Sequence, residues 1–153
     1  MITDADRNRI VAEAIAALPE IAAALDPKEQ PVGGSWVAFT VHAPPTKASG
    51  QGVVLHRCFY TWRHDAPLEP LEESRYLELT RDEQTGAIKV PVWAFGLTPL
   101  GPEAWRLSCS FGAPLRFWLG KRAGGRVMGH AYTYVARRRA GGWKLEFGDI
   151  VAG

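Results

Sequence analysis

The sequence predicts a mainly β fold: a curved antiparallel sheet or barrel of about seven strands, preceded by an N-terminal helix. Three observations predict it. Apolar residues recur at helical spacing only near the N-terminus, and from Pro31 onward that periodicity is gone. Sixteen glycines and eleven prolines supply turns for many short elements. Between those turns, segments of strand length alternate apolar with polar residues, and their connections are short enough for antiparallel neighbours.

The chain of 153 residues is the size of one domain, with a helical segment over 1–27 and the sheet over 34–151. Thr3 followed by Asp6 has the form of a capping box, and Ile10, Val11, Ala14, Ile15 and Leu18 follow at helical spacing. A helix over 4–18 is expected. Pro19 then opens a second short helix carrying Ile21, Ala22 and Leu25, which Pro27 closes.

The first strand spans Ser35 to Ala43, with Val37, Phe39 and Val41 on one face and Trp36, Ala38, Thr40 and His42 on the other. A loop from Pro44 to Gln51 leads into Val53–His64. The expected register sets Trp36 against Tyr60, Val37 against Phe59 and Thr40 against His56. His64 to Glu73 is rich in proline and acid and is expected as a loop. Ser74–Thr80 and Ala87–Phe95 form a candidate hairpin through residues 81–86, with Pro91 marking an edge or bulge. Leu97–Glu103 is expected as a loop, and strands follow at 104–111, 115–119, 126–138 and 143–147.

The triplet Gly34-Ser35-Trp36, following a helical segment, resembles the opening of the lipocalin and fatty-acid-binding barrels. That resemblance covers three residues and implies a closed barrel around a small apolar ligand. The competing architecture is a helix against a curved sheet, as in the ketosteroid-isomerase-like proteins.

Bulk composition excludes several classes. Only Cys58 and Cys109 are present, too few for a disulfide framework, and reduced thiols in a cytoplasmic protein are expected. The N-terminus carries Asp4, Asp6, Arg7 and Arg9 before any apolar run, so neither a signal peptide nor a membrane anchor is read. Net charge is +2, but residues 1–103 hold nine basic against fourteen acidic side chains and residues 104–153 nine against two. Such asymmetry can attract an anionic partner.

The richest chemistry lies in Val53–His64. Val54, His56, Cys58, Tyr60, Trp62 and His64 share one strand face, and Arg57 lies on the other. A dry core rarely takes His beside Tyr, and a wet face rarely takes Trp, Cys and Val, so this face reads as a pocket wall. The segment 126–138 repeats the pattern with Arg126, Met128, His130, Tyr132 and Tyr134. If both faces line one cavity, His56 and His130 are acid or base candidates, aided by Tyr60 and Tyr132. Trp36, Thr40, Arg57, Cys58, Trp62, Arg126, Met128 and Tyr134 would then contact the ligand, with Arg57 or Arg126 neutralising a carboxylate. The plainer alternative makes each His and Tyr an isolated, hydrogen-bonded amphipathic residue.

His56 and His64 are eight residues apart, roughly 26 Å along a strand, so they cannot share an ion. No paired His or Cys motif supplies further ligands, and no metal or other cofactor is expected. Cys109, on the apolar face of its strand, reads as packing. Arg137–Arg139 and Lys121, Arg122 and Arg126 could hold phosphates, but read more simply as soluble hairpin ends.

The expected function is binding of a small, largely apolar or aromatic molecule in a sheet-lined cavity, with room for cofactor-independent acid–base chemistry of isomerase, cyclase or lyase type. The alternative is a non-catalytic module whose basic hairpins bind nucleic acid or an acidic protein. Of these partners nucleic acid is disfavoured, no membrane is expected, and a homodimer is compatible with the sequence.

Overall fold

The computed structural model describes residues 2–25, 35–44, 53–63, 67–112 and 130–152. The expected strand over 115–119 and the basic residues Lys121, Arg122 and Arg126 lie outside the described residues, as do Met128 and His64.

One helix, α1 (Asp4–Ala23), packs on a sheet of seven strands: β1 (Ser35–His42), β2 (Val54–Trp62), β3 (Glu69–Leu71), β4 (Val92–Gly101), β5 (Ala104–Gly112), β6 (His130–Arg139) and β7 (Gly142–Ala152). A second helix, α2 (Glu73–Thr80), separates β3 from β4. The strand order is β3-β2-β1-β4-β5-β6-β7, and the sheet does not close into a barrel. Nor is it wholly antiparallel: β1 and β4 pair parallel, Val37 with Trp93 and Phe39 with Phe95, because β2, β3 and α2 intervene between them in the chain.

α1 starts at Thr3, whose Oγ1 accepts the Asp6 N–H at 3.1 Å, as the capping motif predicts. It continues through Pro19 as one helix, in place of the two expected. Pro19 and Ile15, whose carbonyl the proline leaves without its helical donor, both lie on the exposed side, where water can serve that group. Ile10, Ala14, Ala17, Leu18, Ile21 and Ala22 are buried at three- and four-residue intervals, and the small alanines let the helix approach the sheet closely.

Hydrogen bonds fix the helix at two places, towards opposite edges of the sheet. At the Val41–His42 shift in register, Leu55 is the extra residue on β2, and Arg7 donates to its carbonyl through Nε at 3.2 Å and Nη2 at 2.8 Å. On β7, the Trp143 Nε1–H donates to Glu20 Oε2 at 2.8 Å. The core lies between α1 and the face carrying Val37, Phe39 and Val41, all fully buried, with Phe95, Leu97 and Leu107 beside them.

Three local expectations change. Ser74–Thr80 is the helix α2 rather than a strand: Tyr76 and Thr80 are buried one turn apart, while Leu77 between them is 44% exposed. Tyr76 stacks on Phe59 with ring centroids 4.4 Å apart, so α2 covers part of the opposite sheet face. Residues 69–71, expected as loop, form a short edge strand that tolerates Pro70. The expected loop 97–103 is mostly strand, since β4 runs to Gly101; Pro99 fits because β1 pairs with β4 only as far as Leu97, leaving no partner on that side to need its missing N–H.

Candidate functional site

The register between β1 and β2 decides which side chains meet. Val37 lies opposite Tyr60, Phe39 opposite Cys58 and Thr40 opposite Arg57, one residue from the expected pairing. A one-residue slip moves a whole set of side chains across the sheet. Cys58, Tyr60 and Trp62 therefore join Val37 and Phe39 beneath α1, while Trp36, Thr40 and Arg57 lie on the opposite face. The expected grouping of all six around one ligand does not form.

The two nominated histidine positions lie far apart in the sheet. By register both positions belong to the helix-covered face, His56 level with Val41 and His130 level with Phe111. Their strands are four places apart in the sheet, roughly 19 Å at the usual strand spacing, and they sit towards opposite strand ends. His56 is exposed, in a shallow depression with Asp4, Arg7 and Leu55 at the start of α1. Tyr60 and Tyr132 are likewise four strands apart. Tyr132 and Tyr134 pack instead on Phe147, with centroids at 6.2 Å and 5.5 Å.

The residues that do come together form an aromatic cluster where β4 starts. Trp62 meets the edge of Trp93 at 6.3 Å and of Phe95 at 5.5 Å; Trp93 stacks on Phe95 at 5.8 Å and contacts Phe111 at 5.1 Å. Phe39 joins through Tyr60 at 6.4 Å. Each ring occupies its place because β-strand alternation puts Trp93, Phe95 and Phe111 in phase with Phe39 and Trp62 on one face. Two polar groups border it: the Cys58 thiol donates to Tyr60 Oη at 3.5 Å. Burial pushes the Cys58 thiol up from its ordinary pKa, and burial together with the bond to Cys58 pushes the Tyr60 phenol well above the usual phenol range. Both are neutral at physiological pH, so neither is a ready nucleophile or base.

One atom in this cluster is unsatisfied among the described residues. Trp93 is 7% exposed, and its Nε1–H is buried with no described hydrogen-bond acceptor. A buried donor left unpaired costs about 1–3 kcal/mol, and the indole N–H normally finds a partner. Residue-by-residue reading of the sequence passed over Trp93, Phe95 and Phe111; the signal available was their shared phase across two neighbouring strands.

A second feature also escaped it. On the opposite face Gly96 is bare between neighbours: a Cβ there would stand 2.6 Å from Ser108 Oγ and 3.4 Å from His42 Nε2. Thr40, Ser110 and Thr133 complete a shallow depression of about 300 Å³ around them. A glycine inside a strand is the sequence mark of such a close approach.

The basic residues Arg137, Arg138 and Arg139 are exposed next to the β6–β7 turn, as expected, with Arg137 near Glu146 at 4.0 Å and Arg138 near Glu20 at 3.5 Å. Both cysteines are free thiols. Among the described residues no three His, Cys, Asp or Glu side chains cluster as metal ligands, and no helix is long and apolar enough to cross a membrane. Comparison with known protein families, with curated proteins and with solved structures finds no match.

Proposed function

We propose that this protein binds a small, largely apolar or aromatic molecule against the aromatic end of the helix-covered face, with a neutral acceptor on the ligand taking the Trp93 N–H. The observation that carries this reading is the orphaned Nε1–H of Trp93 among Trp62, Phe95 and Phe111. Aromatic walls supply apolar contact without directional demand, and a single donor orients the occupant, the mixture usual in small-molecule sites. A carbonyl or ether oxygen suits the donor. The proposal is binding without acid–base turnover, since His56 and His130 stand apart and the Cys58–Tyr60 pair is held neutral.

Benzophenone, a neutral aromatic ketone, is a suitable probe. The expected result is saturable quenching of tryptophan fluorescence and a raised melting temperature, both insensitive to salt. Trp93→Phe keeps the ring and removes the donor, and weakens binding about tenfold, the equivalent of one hydrogen bond of roughly 1.4 kcal/mol. Equal affinity in Trp93→Phe, or no saturable binding by the wild type, refutes the reading.

A further inference from the structure

We propose that the groove between α1 and the β4–β5 turn is a second binding site, selective for small organic cations that carry a planar guanidinium or amidinium group on a flat apolar body. It lies at the other end of the strands from Trp93 and stands independently of the function proposed above. The groove measures about 890 Å³, within the range of small-molecule sites. Pro44, Pro99, Leu100 and Trp105 give it an apolar wall.

Its chemistry is displayed by the chain itself. The guanidinium of Arg138 lies over the Trp143 ring, 5.6 Å from the centroid, with Nη2 3.5 Å from Glu20 Oε2. Trp143 donates to the same Glu20 oxygen, which locks indole and carboxylate in one arrangement. An aromatic face beside a carboxylate is the pairing that recognises a planar cation. Arg138 is thus an internal occupant of the corner, more than half exposed and able to swing away.

Glu103 adds an independent observation. It sits at φ 56°, the only non-glycine residue with positive φ among those described, in the turn after Pro102. Gly or Asn is cheaper there, and a glutamate held so costs about 1 kcal/mol or more. The Arg138 N–H donates to the Glu103 carbonyl at 2.9 Å and ties this backbone to the cation corner. The Glu103 carboxylate has no hydrogen bond or ion pair among the described residues and borders the groove. With Glu13 and Glu20 it makes three carboxylates against Arg9 and Arg138, and Arg9 is already shared between Asp6 and Glu13. An incoming cation finds one aromatic face, one fixed carboxylate and one unpaired carboxylate.

Titration of the full chain with benzamidine, and with benzamide as its neutral isostere, tests this by calorimetry and by chemical-shift changes at the tryptophan indoles. Benzamidine binds saturably and more weakly as salt rises, and benzamide binds at least about tenfold more weakly. Arg138→Gln removes the competing guanidinium and tightens benzamidine about fivefold, whereas Glu20→Gln, Trp143→Leu and Glu103→Gln each weaken it. Glu103→Gln changes an exposed turn residue and keeps the test decisive should another variant fail to fold. Equal binding of the two probes, no saturable binding in both wild type and Arg138→Gln, or an affinity indifferent to Glu103 and Glu20 overturns the proposal and leaves the cluster as a clamp holding α1 to β7.

Discussion

The two ends of the helix-covered face hold their tryptophans in opposite environments. At the Trp93 end, the buried indole packs among Trp62, Phe95 and Phe111, and Cys58 and Tyr60 are held neutral by burial. At the Trp143 end, charged side chains more than half exposed to water surround the aromatic ring. Burial makes each polar group at the first end costly to leave unpaired and insensitive to salt. Exposure makes each at the second end cheap, adjustable and screened. The same residue type, tryptophan, therefore sits in a dry aromatic cluster at one end and among exposed charges at the other.

The largest effect that would break the comparison concerns the shared floor. Phe39 is fully buried between the helix and the sheet, and Phe39→Ala should cost about 3–5 kcal/mol in denaturant unfolding. Glu20→Gln, which touches only the exposed corner, should cost about 1 kcal/mol or less by the same measurement. Comparable losses would mean that the corner is as structural as the core.

A smaller effect has the opposite sign. Glu103→Gly relieves the positive φ, and the gain in stability should be about 0.5–1 kcal/mol after the greater chain entropy of glycine is set against it. If Glu103 serves cation binding, the same variant loses benzamidine affinity while its melting temperature rises. A destabilised Glu103→Gly would instead mark the glutamate as a structural residue.

The smallest effect sharpens the dry end through pH. The folded pKa values of Cys58 and Tyr60 are raised, so the stability these groups contribute is present below their unfolded values and declines as pH rises through and beyond the ordinary thiol range. Melting temperature should fall on the alkaline side in wild type and fall less in Cys58→Ser/Tyr60→Phe. Alkylation of Cys58 should be slow at neutral pH, because the thiol is protonated. Rapid labelling at neutral pH would show that this part of the face is open to solvent.

Much of the fold was legible in the chain. The Thr3 cap, the alternation of β1, β2 and β5 and the turn at residues 140–141 all follow from local rules, and each is found close to its expected bounds. Local rules failed where two periods overlapped: Leu77 and Leu79 mimic alternation, yet Tyr76 and Thr80 bury as a helix does because Tyr76 has Phe59 to stack on. The candidate site was legible only as a set of residue types. Cys58, Tyr60 and Trp62 do share one face, but Trp36 and Thr40 were grouped with them by a pairing one residue away from the one observed.

What the sequence by itself determined is which residues share a face of each strand and where α1 begins, because alternation and capping depend on neighbours a few residues apart. Only the tertiary structure decided which faces meet. The parallel union of β1 with β4, the bulge at Leu55 that captures Arg7, and the placement of His56 and His130 four places apart in the sheet depend on pairings between distant segments. Those pairings are selected by the burial of Val37, Phe39, Phe95 and Leu107 under α1, a collective term that no single strand carries in its own pattern.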